Sequence, residues 1–128
     1  MDAGLLIAVA QGKDDVYEEA LAVLDNPERE FVSSVYVKLE VLPNAVYMEL
    51  DDQVEVYQEF FDNVYRWVLS SPELSDRALE LARAHGLGAL DALHAAAAEV
   101  EAAELVTTEK TTKPMFRVTS IEVTSIRK

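Results

Sequence analysis

The stretch Gly88-Ala89-Leu90-Asp91-Ala92-Leu93-His94-Ala95-Ala96-Ala97-Ala98 limits what this chain can fold into more than any other. Gly88 can start a helix, and Asp91 then falls in its first turn, where the helix dipole favours an acid. Leu90, Leu93, Ala97 and Val100 recur at helical spacing and predict the buried face. The run of alanines makes the opposite surface shallow, so a second backbone can approach it closely. Asp91 alone has two readings, an ordinary N-terminal helix acid or a member of a site.

What surrounds this helix is bounded by size and charge. A chain of 128 residues predicts one domain over 1–128, able to bury a core without metal or disulfide staples. Half the residues are hydrophobic and 27% are charged, as in ordinary globular proteins. Cysteine is absent, which excludes thiolate zinc sites and cysteine nucleophiles and is compatible with a cytoplasmic protein. The apolar run Leu5-Leu6-Ile7-Ala8-Val9-Ala10 is too short to span a bilayer, and no basic segment precedes it as in a signal peptide, so no membrane partner is expected. The net charge of −13 argues against non-specific nucleic-acid binding, which needs Lys and Arg to neutralise phosphates. It leaves room for a nuclease, because metal-binding acids contribute to that charge. It also points to a basic partner or a small local patch, for which Lys110, Lys113 and Arg117 are the candidates.

Taken in order, Asp15 and Glu18 have capping-box spacing ahead of a helix whose face is Tyr17, Ala20, Leu21 and Leu24, and Asp25-Asn26-Pro27 stops it. The stretch from Glu30 to Leu42 alternates like a strand, yet Ser33-Ser34 is a good helix start and Pro43 a stop or kink. The expectation is a short strand up to Ser33 and then a helix carrying Glu40 about two turns in. Asp52 and Glu55 form a second capping box, before an amphipathic helix through Val56, Tyr57, Phe60, Phe61, Val64, Tyr65 and Val68. Ser71-Pro72-Glu73 opens the next helix and His85-Gly86 closes it. Leu105 to Thr108 and Val118 to Ile126 read as strands. Helices separated by short strands imply an α/β sandwich with a mainly parallel sheet.

Asp2, Glu40, Asp91 and Glu109 are far apart in sequence, but three of them fit strand–helix junctions or helix starts. Sites in open parallel sheets form at the carboxyl ends of the strands. Carboxylates gathered there repel one another unless a divalent cation joins them, and Mg²⁺ prefers such oxygen ligands together with phosphate substrates.

Four segments come in the order found in PIN domains: Asp2 before Leu5-Leu6-Ile7, Ser33-Ser34 before Glu40-Val41-Leu42-Pro43, Leu90-Asp91-Ala92-Leu93-His94-Ala95-Ala96, and Leu105-Val106-Thr107-Thr108-Glu109. The chain resembles that family over nearly its whole length, most closely the toxin ribonucleases of type II toxin–antitoxin pairs (VapC-like). The resemblance implies a three-layer α/β/α sandwich around a mainly parallel central sheet and a ribonuclease dependent on Mg²⁺ or Mn²⁺. By position, Asp2, Glu40 and Asp91 match the family's metal-holding acids, Glu109 a fourth acid, and Thr107 the nearby hydroxyl residue. The implied chemistry is attack of a metal-activated water on an RNA phosphodiester. Implied partners are an RNA substrate, a small antitoxin protein and a second copy of the chain. Two departures stand out. Only Met1 precedes Asp2 where the family has a hydrophobic strand, so the first strand is expected to be truncated or shortened. Glu109 is longer by one methylene than the usual Asp.

Blander readings exist for several of these residues. Asp2 can be a frayed terminal acid, Glu40 a solvated helix acid, and His94 a helix-packing histidine with no chemical role. The aromatics Tyr57, Phe60, Phe61, Tyr65 and Trp67 read as core, with an exposed part available as a dimer or antitoxin groove. Three functions follow: a PIN endoribonuclease, a PIN-fold protein or RNA-binding module with weak or no catalysis, and a helical interaction module unrelated to nucleases.

Overall fold

Side chains of the short strands alternate between two helical layers, and that alternation sets the architecture. The computed structural model describes residues 3–12 and 15–127. Helices α1 (Ala3–Gln11) and α2 (Tyr17–Asp25) lead to β1 (Val32–Ser34), α3 (Val35–Tyr47) and α4 (Asp51–Asp62). Then come β2 (Arg66–Val68), α5 (Pro72–His85), α6 (Ala89–Val100), β3 (Leu105–Thr107), a 3-10 turn (Pro114–Arg117) and β4 (Val123–Ser125). Trp67 of β2 packs with α1, α3 and α4, whereas the next residue, Val68, packs with α5 and α6. In β3, Leu105 likewise joins the α5–α6 side and Val106 joins α1 and α2. Successive strand side chains point to opposite faces, so the strands are the middle of three α/β/α layers.

Both described strand pairings are parallel, with Val32 opposite Arg66 in one ladder and Leu105 opposite Val123 in the other. Among the described residues these are two separate two-stranded ladders and not one continuous sheet. A pocket of about 200 Å³ lies between Phe31 and Val32 on one side and Ala103, Glu104 and Val106 on the other. Arg29 and Glu104 bridge there at 3.2 Å.

The apolar run after Asp2 becomes α1. A helix without a polar face is stable only when enclosed, and Leu5 and Leu6 are fully buried. Leu6 packs with Val37, Val41, Tyr57 and Phe61, while Leu5 packs with Ala20 and Val106, so α1 fastens both halves of the molecule. None of the described helices is long and apolar enough to cross a membrane.

Several local expectations hold. β1 gives way to α3 at Ser34 and α3 carries Glu40. At the start of α5 the Ser71 hydroxyl accepts the Leu74 N–H at 3.0 Å, with Pro72 in the first turn. At its end Gly86 is left-handed, with φ of 71°. A Cβ at Gly86 would also stand 3.2 Å from Arg117 Nη1. Others are corrected. Asp15 does not cap α2: Val16 is the cap residue, and the Asp15 carboxylate receives the Arg127 guanidinium at 2.9 and 3.1 Å. A charged tertiary partner there outcompetes a local cap. Asp52 lies inside the first turn of α4, which begins at Asp51 after Leu50, and makes no capping bond; the helix ends at Asp62, and Val68 belongs to β2. Pro43 does not stop α3, which runs through it to Tyr47.

The buried face of α6 is the expected one only in part: Ala97 is buried and Leu93 packs against the core. Leu90 and Val100 are 40% and 63% exposed, whereas Ala92 and the whole run from His94 to Ala98 are buried. α6 is packed by α5, α3 and β1 together, so small side chains fill the places where neighbouring backbones come close. Spacing of the larger apolar residues alone finds Leu93 but misplaces Leu90 and Val100.

Candidate active site

α6 begins as its sequence predicts. Gly88, in extended conformation, is the cap residue, and its carbonyl accepts the Ala92 N–H at 3.0 Å. Asp91 stands in the first turn with its side chain exposed. His94 follows three residues later, one turn along the same side of the helix, but is only 5% exposed. Its Nε2 is hydrogen-bonded to Oε1 of Glu40. Glu40 comes from α3, and its side chain keeps 25% of its surface in solvent. The pair thus ties α3 to α6 one turn from Asp91.

A second part of the site lies at the end of β3. Thr107 is 1% exposed, and its Oγ1 accepts the Glu109 N–H at 3.0 Å, a local side-chain turn of the kind threonine favours. Ser125 Oγ donates to the Glu109 carbonyl at 2.6 Å. The backbone of Glu109 is therefore held from both sides while its side chain is exposed. Beyond it, Lys110 and Lys113 are exposed, and Arg117 donates to the His85 carbonyl at 3.0 Å at the end of α5.

A third part is the end of β1. Ser33 and Ser34 are buried, and neither hydroxyl has a hydrogen-bond partner among the described residues. Both line, together with His94, a small cavity of about 20 Å³. The serines read from sequence only as a helix start. Nothing in their spacing marks them as buried hydroxyls beside His94, because that contact joins segments some sixty residues apart.

Of the four acids expected to gather, Asp2 lies outside the described residues. Glu40 is drawn onto α6, Asp91 is carried by α6, and Glu109 is held at the end of β3. Among the described residues no group of three or more His, Asp or Glu stands close enough to hold a metal ion. The donors Glu40, Asp91, Glu109 and Thr107 are all oxygens, a set suited by chemistry to Mg²⁺ or Mn²⁺ and not to a soft metal. The Glu40–His94 bond is the feature that sequence reasoning missed. A polar residue within an otherwise alanine-rich stretch was the available signal, and its partner lies fifty-four residues away.

Comparison with curated proteins finds no match. The model of the PIN domain matches residues 1–113 of the 128. PIN domains are in general metal-dependent nucleases. This sets aside the helical module unrelated to nucleases. The parallel pairings, the three layers, the acid-bearing start of α6 and the family match agree, and the chain belongs to the PIN-domain family.

Proposed function

We propose that this chain is an endoribonuclease dependent on Mg²⁺ or Mn²⁺, and that it is the VapC-like toxin of a type II toxin–antitoxin pair. The observation that carries this reading is α6: it holds Asp91 in its first turn and, one turn on, draws in Glu40 through His94. Asp2, Glu40, Asp91 and Glu109 are the residues proposed to hold the cation, with Thr107 shaping the approach of Glu109. A bound divalent cation offsets charge on the phosphoryl oxygens and raises the nucleophilicity of water. The protein's own part is to hold the carboxylates against mutual repulsion and to offer substrate an exposed face at Asp91 and Glu109. Lys110 and Lys113, exposed just after Glu109, are the cations placed to meet an RNA backbone. Single-stranded or loop RNA suits such a site, because its backbone and bases are accessible.

The partner proteins belong to the same proposal. Val35, Leu39 and Val46 lie on one side of α3 and are exposed, and Tyr47, Met48 and Leu50 continue the apolar surface into the α3–α4 turn. An apolar surface of this kind supports association with a second copy or with an antitoxin.

The test is cleavage of a pool of structured RNAs with Mg²⁺ or Mn²⁺, using wild type and Asp91→Asn side by side. Wild type is expected to cut and Asp91→Asn to lose all cutting while remaining folded. Equal cleavage by both identifies a contaminating nuclease or another site. No cleavage by folded, metal-loaded wild type selects the non-catalytic binding module instead.

A further inference from the structure

His94 is the only described side chain in hydrogen-bonding contact with Glu40, and it makes that contact from within the protein interior. A ring so placed has little room to turn. The cavity beside it, about 20 Å³, holds at most about one water. Its lining of Ser33, Ser34, Val37 and Ala97 offers the ring no acidic or basic partner. The bond occupies Oε1 of Glu40 and leaves Oε2 for another partner. Asp91 lies three residues before His94 on the same helix, so its Cβ is about 5–6 Å from that of His94.

We propose that His94 is a positioning residue: by holding Oε1 of Glu40, it fixes the α3 carboxylate beside Asp91 so that the two acids can share one divalent cation. The inference rests on the proposed metal-dependent function and assigns the work of assembling the site to a histidine that touches neither metal nor RNA. Carboxylates that bind metals are themselves oriented by hydrogen bonds, and loss of such support typically costs about 10–100-fold in metal affinity. Without His94, Glu40 is a flexible side chain on the rim of α3, free to point into water.

The experiment measures Mn²⁺ binding by electron paramagnetic resonance and calorimetry for wild type, His94→Gln and His94→Leu. Circular dichroism melts show which variants are folded. Gln places an amide N–H near the position of Nε2, and Leu fills the space without a donor. Wild type and His94→Gln are expected to bind within about threefold of each other, and folded His94→Leu to bind about 10–100-fold more weakly. Wild-type affinity in His94→Leu overturns the positioning role and leaves the metal reading standing. Absence of Mn²⁺ binding by wild type overturns both.

If His94→Leu does not fold, nitrogen NMR of the His94 ring decides the matter in chains that keep His94. Added Mg²⁺ is expected to shift the Nε2 resonance in wild type but not in Glu40→Gln. An Nε2 signal indifferent to Mg²⁺ in wild type overturns the proposal.

Discussion

Asp91 meets two demands at one position. As a first-turn acid it faces the positive end of the α6 dipole, an interaction worth about 0.3–1 kcal/mol. As a candidate ligand it must keep its charge near other carboxylates, which opposes that gain. Replacement by Asn removes both effects together while leaving a near-isosteric polar side chain at the helix start. The metal-free Asp91→Asn protein is therefore expected to melt within a few degrees of wild type. Divalent cations should raise the Tm of wild type only, because they bind the folded acid set. A drop of ten degrees or more in the metal-free variant would mean that Asp91 serves the fold and not the site. Thr107 shows a different economy: its buried hydroxyl is spent on the Glu109 backbone, so its effect on Glu109 is one of placement.

At the scale of elements, the α5–α6 pair is held by a charged contact at its edge as well as by its alanines. Arg77 on α5 grips Glu99 on α6 through two bonds, of 2.6 Å and 2.9 Å, and Ser120 donates to the same carboxylate at 2.7 Å. The Arg77 bond, with help from Ser120, holds the Glu99 carboxyl below the usual glutamate range, against the opposing effect of partial burial. A carboxyl depressed by folding stabilises the protein fully above its unfolded pKa, roughly 4.3, and this is lost as pH falls through the lower folded value. Glu99→Gln is accordingly expected to lower Tm by about 3 °C near pH 7. The gap between the two proteins should close as acid protonates Glu99 in the wild type. A Tm difference that stays constant down to pH 3 would show that the contact acts through packing and not through charge. The rest of this hairpin was legible in sequence, because its signals are local: Ser71 as cap, Pro72 in the first turn, and left-handed Gly86. The caps proposed at Asp15 and Asp52 were not, since only the folded chain brings Arg127 to Asp15.

For the whole molecule, the excess of acids makes every basic residue near the site count. Lys110→Gln with Lys113→Gln removes two exposed cations just beyond Glu109. On the proposed function, this double variant should flatten the plot of log affinity for single-stranded RNA against log salt by about 1.4, from two phosphate contacts at about 0.7 each. Binding to a nuclease-dead Asp91→Asn background measures it, and an unchanged slope places the RNA elsewhere. The exposed stripe on α3 makes an independent prediction. Leu39, 61% exposed, should lie within an association surface, so Leu39→Lys is expected to convert a larger species to one of 14.2 kDa by light scattering. A wild type already monomeric at micromolar concentration would remove the homodimer and leave the stripe to an antitoxin.

By itself the sequence determined the α/β class, the start of α6 with Asp91 in its first turn, the switch from β1 to α3, and the short strand that starts at Leu105. Each of these depends on neighbours in the chain: turn residues, caps and periodicity act over one or two turns. Only the tertiary structure decided which face of α6 is buried, because close packing on several sides favours alanine over the leucines that mark an ordinary amphipathic stripe. It alone divided the strands into two ladders and enclosed α1 between them and α4. It alone joined Glu40 to His94, a contact across fifty-four residues. Side chains of that kind meet when hydrophobic burial has brought their helices together, and no local pattern records the meeting.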